Sequence, residues 1–136
     1  MPAAAEATTN AGAQAFVTFW FSTYNHAQSK LNSEELTAVS DKSCVFCNRA
    51  KQLIQDLKGN SRTVSGGEIT ISNYKLIRGN KDGMRLDVVY DQKAGSVLDG
   101  TGAKIASAKA KKSGKMLIAL KWTGTRWTML DVAVMS

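Results

Sequence analysis

The spacing of apolar residues changes near residue 64 and divides the chain into a helical part and a strand part. Over residues 10–28, apolar side chains recur every three or four positions and fall on one face of a 3.6-residue period. These positions are Ala13, Phe16, Val17, Trp20, Phe21 and Tyr24. The pattern therefore predicts a long amphipathic helix, with Asn10 as its N-cap.

Two further helices are predicted before residue 61. Ser33 is the expected cap of a short one, in which Glu34 and Glu35 are well placed beside the positive end of the helix dipole. The other begins after Ser43 and ends at Gly59-Asn60, a helix stop signal. Its apolar stripe consists of Cys47, Ala50, Ile54 and Leu57. Both cysteines of the chain are predicted to lie in its first turn.

From Val64 onward the apolar period is two, which is typical of strands. The predicted strands cover residues 68–77, 84–91, 95–98, 103–109, 115–122 and 126–135. Gly79-Asn80-Lys81-Asp82-Gly83 is a turn by composition, and Thr123-Gly124-Thr125 is a tight hairpin signal. In the last strand one buried face is predicted for Trp127, Met129, Ala133 and Met135.

Helices followed by antiparallel strands indicate an α+β fold, with three N-terminal helices packed on one face of a curved antiparallel sheet. The length of 136 residues allows one domain with a single core. Residues 1–9 are mostly small and are predicted to be a flexible linker remnant, leaving 10–136 as the domain. No apolar run approaches the ~18 residues of a membrane span, and no signal-peptide pattern is present.

Cys44 and Cys47 are the two cysteines of the chain and form a Cys-x-x-Cys pair at a helix start. Such a pair can be a redox centre, half of a metal site or a structural disulfide. A zinc site needs about four ligands, and the chain has one histidine, His26. The single proline, Pro2, cannot supply the cis-proline that faces a thioredoxin-like motif. A structural disulfide is therefore the favoured interpretation, without metal or cofactor, and it implies an oxidising compartment.

The net charge of +7 comes entirely from the second half of the chain. The densest cationic segment contains Lys104, Lys109, Lys111, Lys112 and Lys115. A solvated, flexible hairpin arm is the simpler interpretation. The alternative is contact with an anionic membrane or wall surface. Nucleic acid is not expected, because the segment has no aromatic residue or arginine to contact bases.

Asp131 is the candidate catalytic residue, because it interrupts an apolar face in the last strand. Together with His26 and Tyr24 of the first helix, it could form a small pocket enzyme of the isomerase or dehydratase kind. A β-bulge that turns Asp131 outward is the alternative. For His26, one residue off the apolar stripe, the alternative is an exposed helix edge, and for Tyr24 it is a core position with the hydroxyl at the rim. No recognised catalytic motif is present.

The order of elements and the closing Gly124 to Trp127 hairpin resemble the nuclear-transport-factor-2-like superfamily, a cone-shaped fold. A narrower resemblance is to a domain of unknown function in exported actinobacterial lipoproteins. It is carried by Ala15-Phe16-Val17, Tyr24-Asn25-His26-Ala27, Cys44-Val45-Phe46-Cys47, Gly66-Gly67, and Asp91 with Ala94-Gly95. This resemblance implies an extracytoplasmic domain, membrane-anchored through a lipidated N-terminus that is absent from this chain. It brings no established activity.

The expected function is therefore binding rather than catalysis. A non-catalytic extracytoplasmic domain would bind a protein partner or a small ligand through its pocket or its sheet face. Leu117 and Val89 on the outward face of the sheet also make a homodimer possible. The pocket enzyme that uses Asp131 or His26 is the alternative.

Overall fold

The computed structural model describes residues 1–80 and 82–135 and confirms the α+β class. A short 3-10 helix (Ala3–Glu6) precedes α1 (Asn10–Lys30), α2 (Glu34–Ala38) and α3 (Val45–Gly59). The strands are β1 (Thr63–Gly66), β2 (Ile69–Asn80), β3 (Gly83–Gln92), β4 (Gly95–Leu98), β5 (Lys104–Ala108), β6 (Lys111–Trp122) and β7 (Trp127–Val134). Lys81 of the predicted turn and Ser136 of the predicted domain lie outside the described residues.

Within residues 1–80 and 82–135, the paired strands are all antiparallel and form two sheets. The larger sheet has the order β2-β3-β6-β7, and the smaller has the order β1-β4-β5. Strand β1 is missing from the sequence prediction, which begins the first strand at Glu68. Gly66, at the end of β1, has φ +76°, and a Cβ there would lie 2.2 Å from the carbonyl oxygen of Ala94. The Gly66-Gly67 pair therefore carries the chain from one sheet to the other.

The core lies between α1 and one face of the larger sheet. Phe16 and Trp20 of α1 are fully buried, as are Leu86 of β3 and Ile118 of β6. The indole of Trp20 donates a hydrogen bond to Ser40 Oγ at 3.0 Å, so its polar edge is satisfied inside the core. The predicted apolar face of α1 is thus the face that packs on the sheet.

The ends of α1 differ slightly from the prediction. Thr9, and not Asn10, is the N-cap, because its side chain accepts a hydrogen bond from the backbone N–H of Gly12 at 3.0 Å. The helix also continues past the predicted end at Gln28, to Lys30. It stops at Leu31, which has the left-handed φ of 53°.

The segment predicted as a flexible linker packs against the domain instead. Ala5 has no exposed surface and belongs to the core. The indole of Trp127 donates a hydrogen bond to the carbonyl of Ala7 at 2.9 Å. A Cβ at Gly12 would lie 2.0 Å from that carbonyl oxygen, so glycine permits the close approach. Small residues, which suggested a linker, are here the residues that fit a tight contact.

Asn25 joins α1 to the start of β2 through two hydrogen bonds to Ile69. Its side-chain oxygen accepts from the Ile69 N–H at 2.9 Å, and its amide donates to the Ile69 carbonyl at 2.8 Å. We expect Asn25→Ala to lower the free energy of unfolding by about 1–2 kcal/mol, because both partly buried backbone groups lose their partner. Urea denaturation measures this loss. Asn48→Ala, which removes one exposed bond, is the control, and equal losses would contradict the assignment.

Candidate functional site

A groove of about 720 Å³ runs between α3 and the second half of β7. Its lining residues are Tyr24, Val45, Phe46, Arg49, Ala50, Leu53, Asp131, Val132, Ala133 and Val134. Helix α3 packs against β7, so one wall is helical and the other is the edge of the larger sheet.

A disulfide fixes the start of the helical wall. Cys44 and Cys47 are bonded, with their Cα atoms 5.2 Å apart, and both side chains are buried. Cys44 is the N-cap of α3, not a residue of its first turn, and its Sγ accepts a hydrogen bond from the Cys47 N–H at 3.1 Å. The pair therefore positions the first turn of α3 beside the groove.

A β-bulge at Leu130 shapes the strand wall. Ala119 of β6 pairs with Asp131, and its neighbour Leu120 pairs with Met129, so Leu130 is the extra residue of β7. The bulge shifts the alternation of faces: Met129 and then Val132 are buried, and Asp131 is exposed. The prediction that Ala133 and Met135 share the buried face of Trp127 and Met129 is therefore wrong.

The edge of β7 is paired before the bulge and open after it. The Met129 N–H donates to the Val39 carbonyl at 3.0 Å, and the Asp41 N–H donates to the Met129 carbonyl at 2.8 Å. Beyond the bulge, the alternation of an antiparallel ladder turns the backbone groups of Val132 and Val134 away from β6. Among the described residues, no hydrogen bond from a loop, turn or helix reaches these groups.

The exposed stripe of α3 that borders this open edge is apolar at both ends and cationic in the middle. Val45, Arg49 and Leu53 are spaced four residues apart and lie on one helix face. Val45 is 55% exposed and Leu53 47%, while Val134 on the strand wall is 50% exposed. Three large apolar side chains, those of Val45, Leu53 and Val134, are therefore exposed to water in one groove.

Arg49 and Asp131 both line the groove but form no ion pair with each other. Within residues 1–80 and 82–135, neither side chain has a hydrogen bond or an acidic or basic partner. The groove thus offers one cation and one anion to an occupant.

Tyr24 lies beneath the groove as part of the core, as its alternative interpretation predicted. Its ring stacks on Trp20 at 5.7 Å and contacts Phe46 at 5.8 Å between ring centroids. Its hydroxyl accepts a hydrogen bond from the Gln28 amide at 2.8 Å. Burial raises the pKa of Tyr24 above 10.0, and the bond from Gln28 opposes this rise.

The raised pKa of Tyr24 predicts how the stability of the fold depends on pH. Because the folded-state pKa of Tyr24 exceeds its unfolded value of 10.0, its contribution to stability is fully present below that pH. We expect this contribution to be lost as the pH rises through the folded-state pKa. The phenolate absorbance of the wild type minus that of Tyr24→Phe measures the titration. Ionisation of Tyr24 at or below 10.0 would contradict it.

The structure does not bring Asp131 and His26 together. His26 is exposed and lines a separate depression beside Lys30, Glu34 and Glu35. Of the three candidate catalytic residues, only Tyr24 and Asp131 line one groove. The juxtaposition of Asp131 with His26 that the enzyme alternative requires is therefore absent.

The lysine segment lies on β5, on β6 and on the link between them. Lys111 lies over the Tyr90 ring, 5.4 Å from its centroid, and Lys112 Nζ is 3.9 Å from Asp91. Lys104, Lys109 and Lys115 are exposed and have no ion pair in the described part of the chain. Contact of this segment with an anionic surface stays a prediction.

The outward face of the larger sheet mixes apolar and charged residues. Leu117 and Val89 are half-buried there, and their cross-strand partners are Asp87 and Lys115. Homodimerisation through this face stays a prediction.

No three or more His, Cys, Asp and Glu side chains in residues 1–80 and 82–135 are grouped so that they could hold a metal ion. None of the helices described above has the length and apolar character to cross a membrane.

Solved structures with the same architecture define the fold class. The intermembrane space region of the chloroplast protein ARC6 superimposes with a TM-score of 0.69 at 10% identity, covering 96% of this chain and 98% of that one. Aln2 from a Streptomyces species gives 0.58 at 7% identity, with 94% and 93% covered. A protein of unknown function with a cystatin-like fold from Nostoc punctiforme gives 0.51 at 9%, with 89% and 88% covered. The chain therefore has the cystatin-like, nuclear-transport-factor-2-like cone fold.

Within that class, the chain belongs to the family of unknown function DUF6318, whose sequence pattern matches residues 1–133. The match includes the N-terminal segment that packs on Trp127. No protein of curated function matches the sequence.

Proposed function

We propose that this protein is a non-catalytic, extracytoplasmic binding domain whose α3–β7 groove receives an extended segment of a protein partner. The observation that carries the proposal is the open edge of β7 beside a stripe of exposed apolar side chains on α3. An extended segment can hydrogen-bond to the free N–H and C=O groups of Val132 and Val134 while its side chains cover Val45 and Leu53.

The first half of β7 supports this mode of binding. Val39 and Asp41 already occupy the edge as a short parallel segment, bridged at Ser40 to Met129. The edge therefore accepts an added strand where the chain supplies one. The second half of β7 is also an edge, but the α3–β7 groove lies beside it where the first half has the paired segment.

The extracytoplasmic location is supported by the disulfide, since such bonds persist in oxidising compartments. The resemblance to exported actinobacterial lipoproteins, at the cysteine pair among other motifs, favours a lipid-anchored form. Intact mass of protein taken from its natural source without reductant, with and without a thiol alkylator, tests the location. We expect no alkylation and a mass lower by two hydrogens. Two alkylated thiols at Cys44 and Cys47 would contradict an oxidising compartment.

Binding is favoured over catalysis by the chemistry of the groove. Asp131, the acidic residue among the described residues that line the groove, is exposed, and His26 lies in another depression. Tyr24 is buried with a raised pKa, so its phenol is a poor base near neutral pH. An apolar groove with few polar groups suits recognition of a partner.

A displayed library of random peptides, selected on the whole chain, tests the binding function. We expect enriched peptides to lose at least about tenfold in affinity for Leu53→Asp, because a charge replaces apolar contact area. The matched control is Ile77→Asp, since Ile77 is 51% exposed and lies outside the groove. Selection that yields no peptide dependent on Leu53 would overturn the groove as the binding site.

A further inference from the structure

We infer that the partner segment has an acidic residue between two apolar residues at alternate positions, in the order apolar–x–acidic–x–apolar. This inference rests on the proposed function and names the chemistry that the groove selects. It comes from three observations: the spacing of the α3 stripe, the absence of a partner for Arg49 among the described residues, and the open edge of β7.

The spacing of the stripe matches a strand. Four residues of helix rise about 6 Å, and two residues of an extended strand rise about 6.6 Å. Successive same-face side chains of an added strand would therefore meet Val45, Arg49 and Leu53 in turn. The groove is also lined continuously by Asp131 to Val134, so helix stripe and strand edge run beside each other over this distance.

The charge of the stripe selects the middle residue. Arg49 is exposed and, within the described residues, its side chain has no hydrogen bond or ion pair. A carboxylate in the middle of the added strand can accept two N–H bonds from the guanidinium. A basic residue at that position would meet a like charge instead. The protein's net charge of +7 also favours an acidic partner during encounter.

The apolar ends of the stripe select the flanking residues. Val45 and Leu53 are each about half exposed, and Phe46 and Ala50 line the groove between them. Side chains placed over Val45 and Leu53 would remove apolar surface from water. The middle residue of the partner segment therefore determines selectivity, and its two flanking residues supply affinity.

Binding of synthetic peptides, measured by fluorescence anisotropy, tests this pattern on the whole chain. One peptide has two leucines around a central glutamate at the predicted spacing, and its partner peptide has lysine at the centre. We expect the glutamate peptide to bind the wild type about 10- to 100-fold more tightly, as a charge-assisted pair would give. Arg49→Glu should reverse the preference. Arg62→Glu, which makes the same change of charge at an exposed arginine outside the groove, should keep it.

The outcomes separate this inference from the proposed function. Binding that needs Leu53 but does not change its preference in Arg49→Glu would overturn the acidic centre and leave the groove as the binding site. If Arg62→Glu lost the preference for the glutamate peptide as fully as Arg49→Glu, long-range charge would explain the preference. That result would also overturn the acidic centre. If neither these peptides nor the displayed library yields binding that depends on Leu53, both the inference and the proposed function fail. Circular dichroism of each variant verifies that it is folded.

Discussion

Trp127→Ala is expected to lower the free energy of unfolding by about 3–5 kcal/mol, as truncation of a fully buried aromatic residue usually does. Trp127 has no exposed surface, and its ring packs edge-on against Trp122 at 5.1 Å between centroids. Its indole N–H also donates a hydrogen bond to the carbonyl of Ala7. The substitution therefore opens a cavity and releases the N-terminal segment at once.

Urea denaturation of matched variants separates these contributions. Trp127→Phe keeps most of the buried ring but loses the N–H, so a loss of about 1–2 kcal/mol is expected from the bond and the reduced volume. Trp122→Ala removes a half-buried indole of the same pair and should cost less than Trp127→Ala. Equal losses for the two alanine variants would contradict the central place of Trp127 in the core.

Removal of the disulfide by the double substitution Cys44→Ala and Cys47→Ala is expected to cost about 3 kcal/mol. Closure of so short a loop restricts the unfolded chain by about 2 kcal/mol in the chain-entropy account. Smaller side chains at two buried positions add about 1 kcal/mol. Because α3 begins at this pair, the loss should also raise amide exchange in the first turn of α3.

A reductant supplies the control for the disulfide prediction. It should lower the denaturation midpoint of the wild type and leave the double variant unchanged. A wild type that is insensitive to complete reduction, verified by alkylation, would show that the bond adds nothing to stability. The packing of the two cysteines would then be their whole role.

Helices α1 and α3 and strands β3 and β6 could be predicted because each has a regular apolar period with a buried face. Strand β1 could not, since Thr63–Gly66 is almost entirely exposed and shows no alternation. The sequence also gave no sign that the N-terminal segment packs on the domain. A run of alanines has the same composition in a linker and in a tight contact. These elements are determined by contacts with distant residues, which no local pattern contains.

The groove itself was only partly predictable. A bulge before Asp131 was one interpretation of an acid on an apolar face, and the structure places the extra residue at Leu130. Val45 and Leu53 are apolar residues off the buried stripe of α3, and this was the available sign of an exposed apolar surface. Their proximity to the edge of β7 depends on how α3 packs, so the sequence alone could not locate the site.

Amide hydrogen exchange of Val132 and Val134, followed by NMR with and without the glutamate-centred peptide, tests strand addition at the open edge of β7. Exchange at both amides should be fast in the free protein and at least about tenfold slower in the complex, because an added strand would accept their hydrogen bonds. Met129, whose N–H is already bonded to Val39, should be unaffected. Saturating binding that leaves exchange at Val132 and Val134 unchanged would contradict strand addition at this edge.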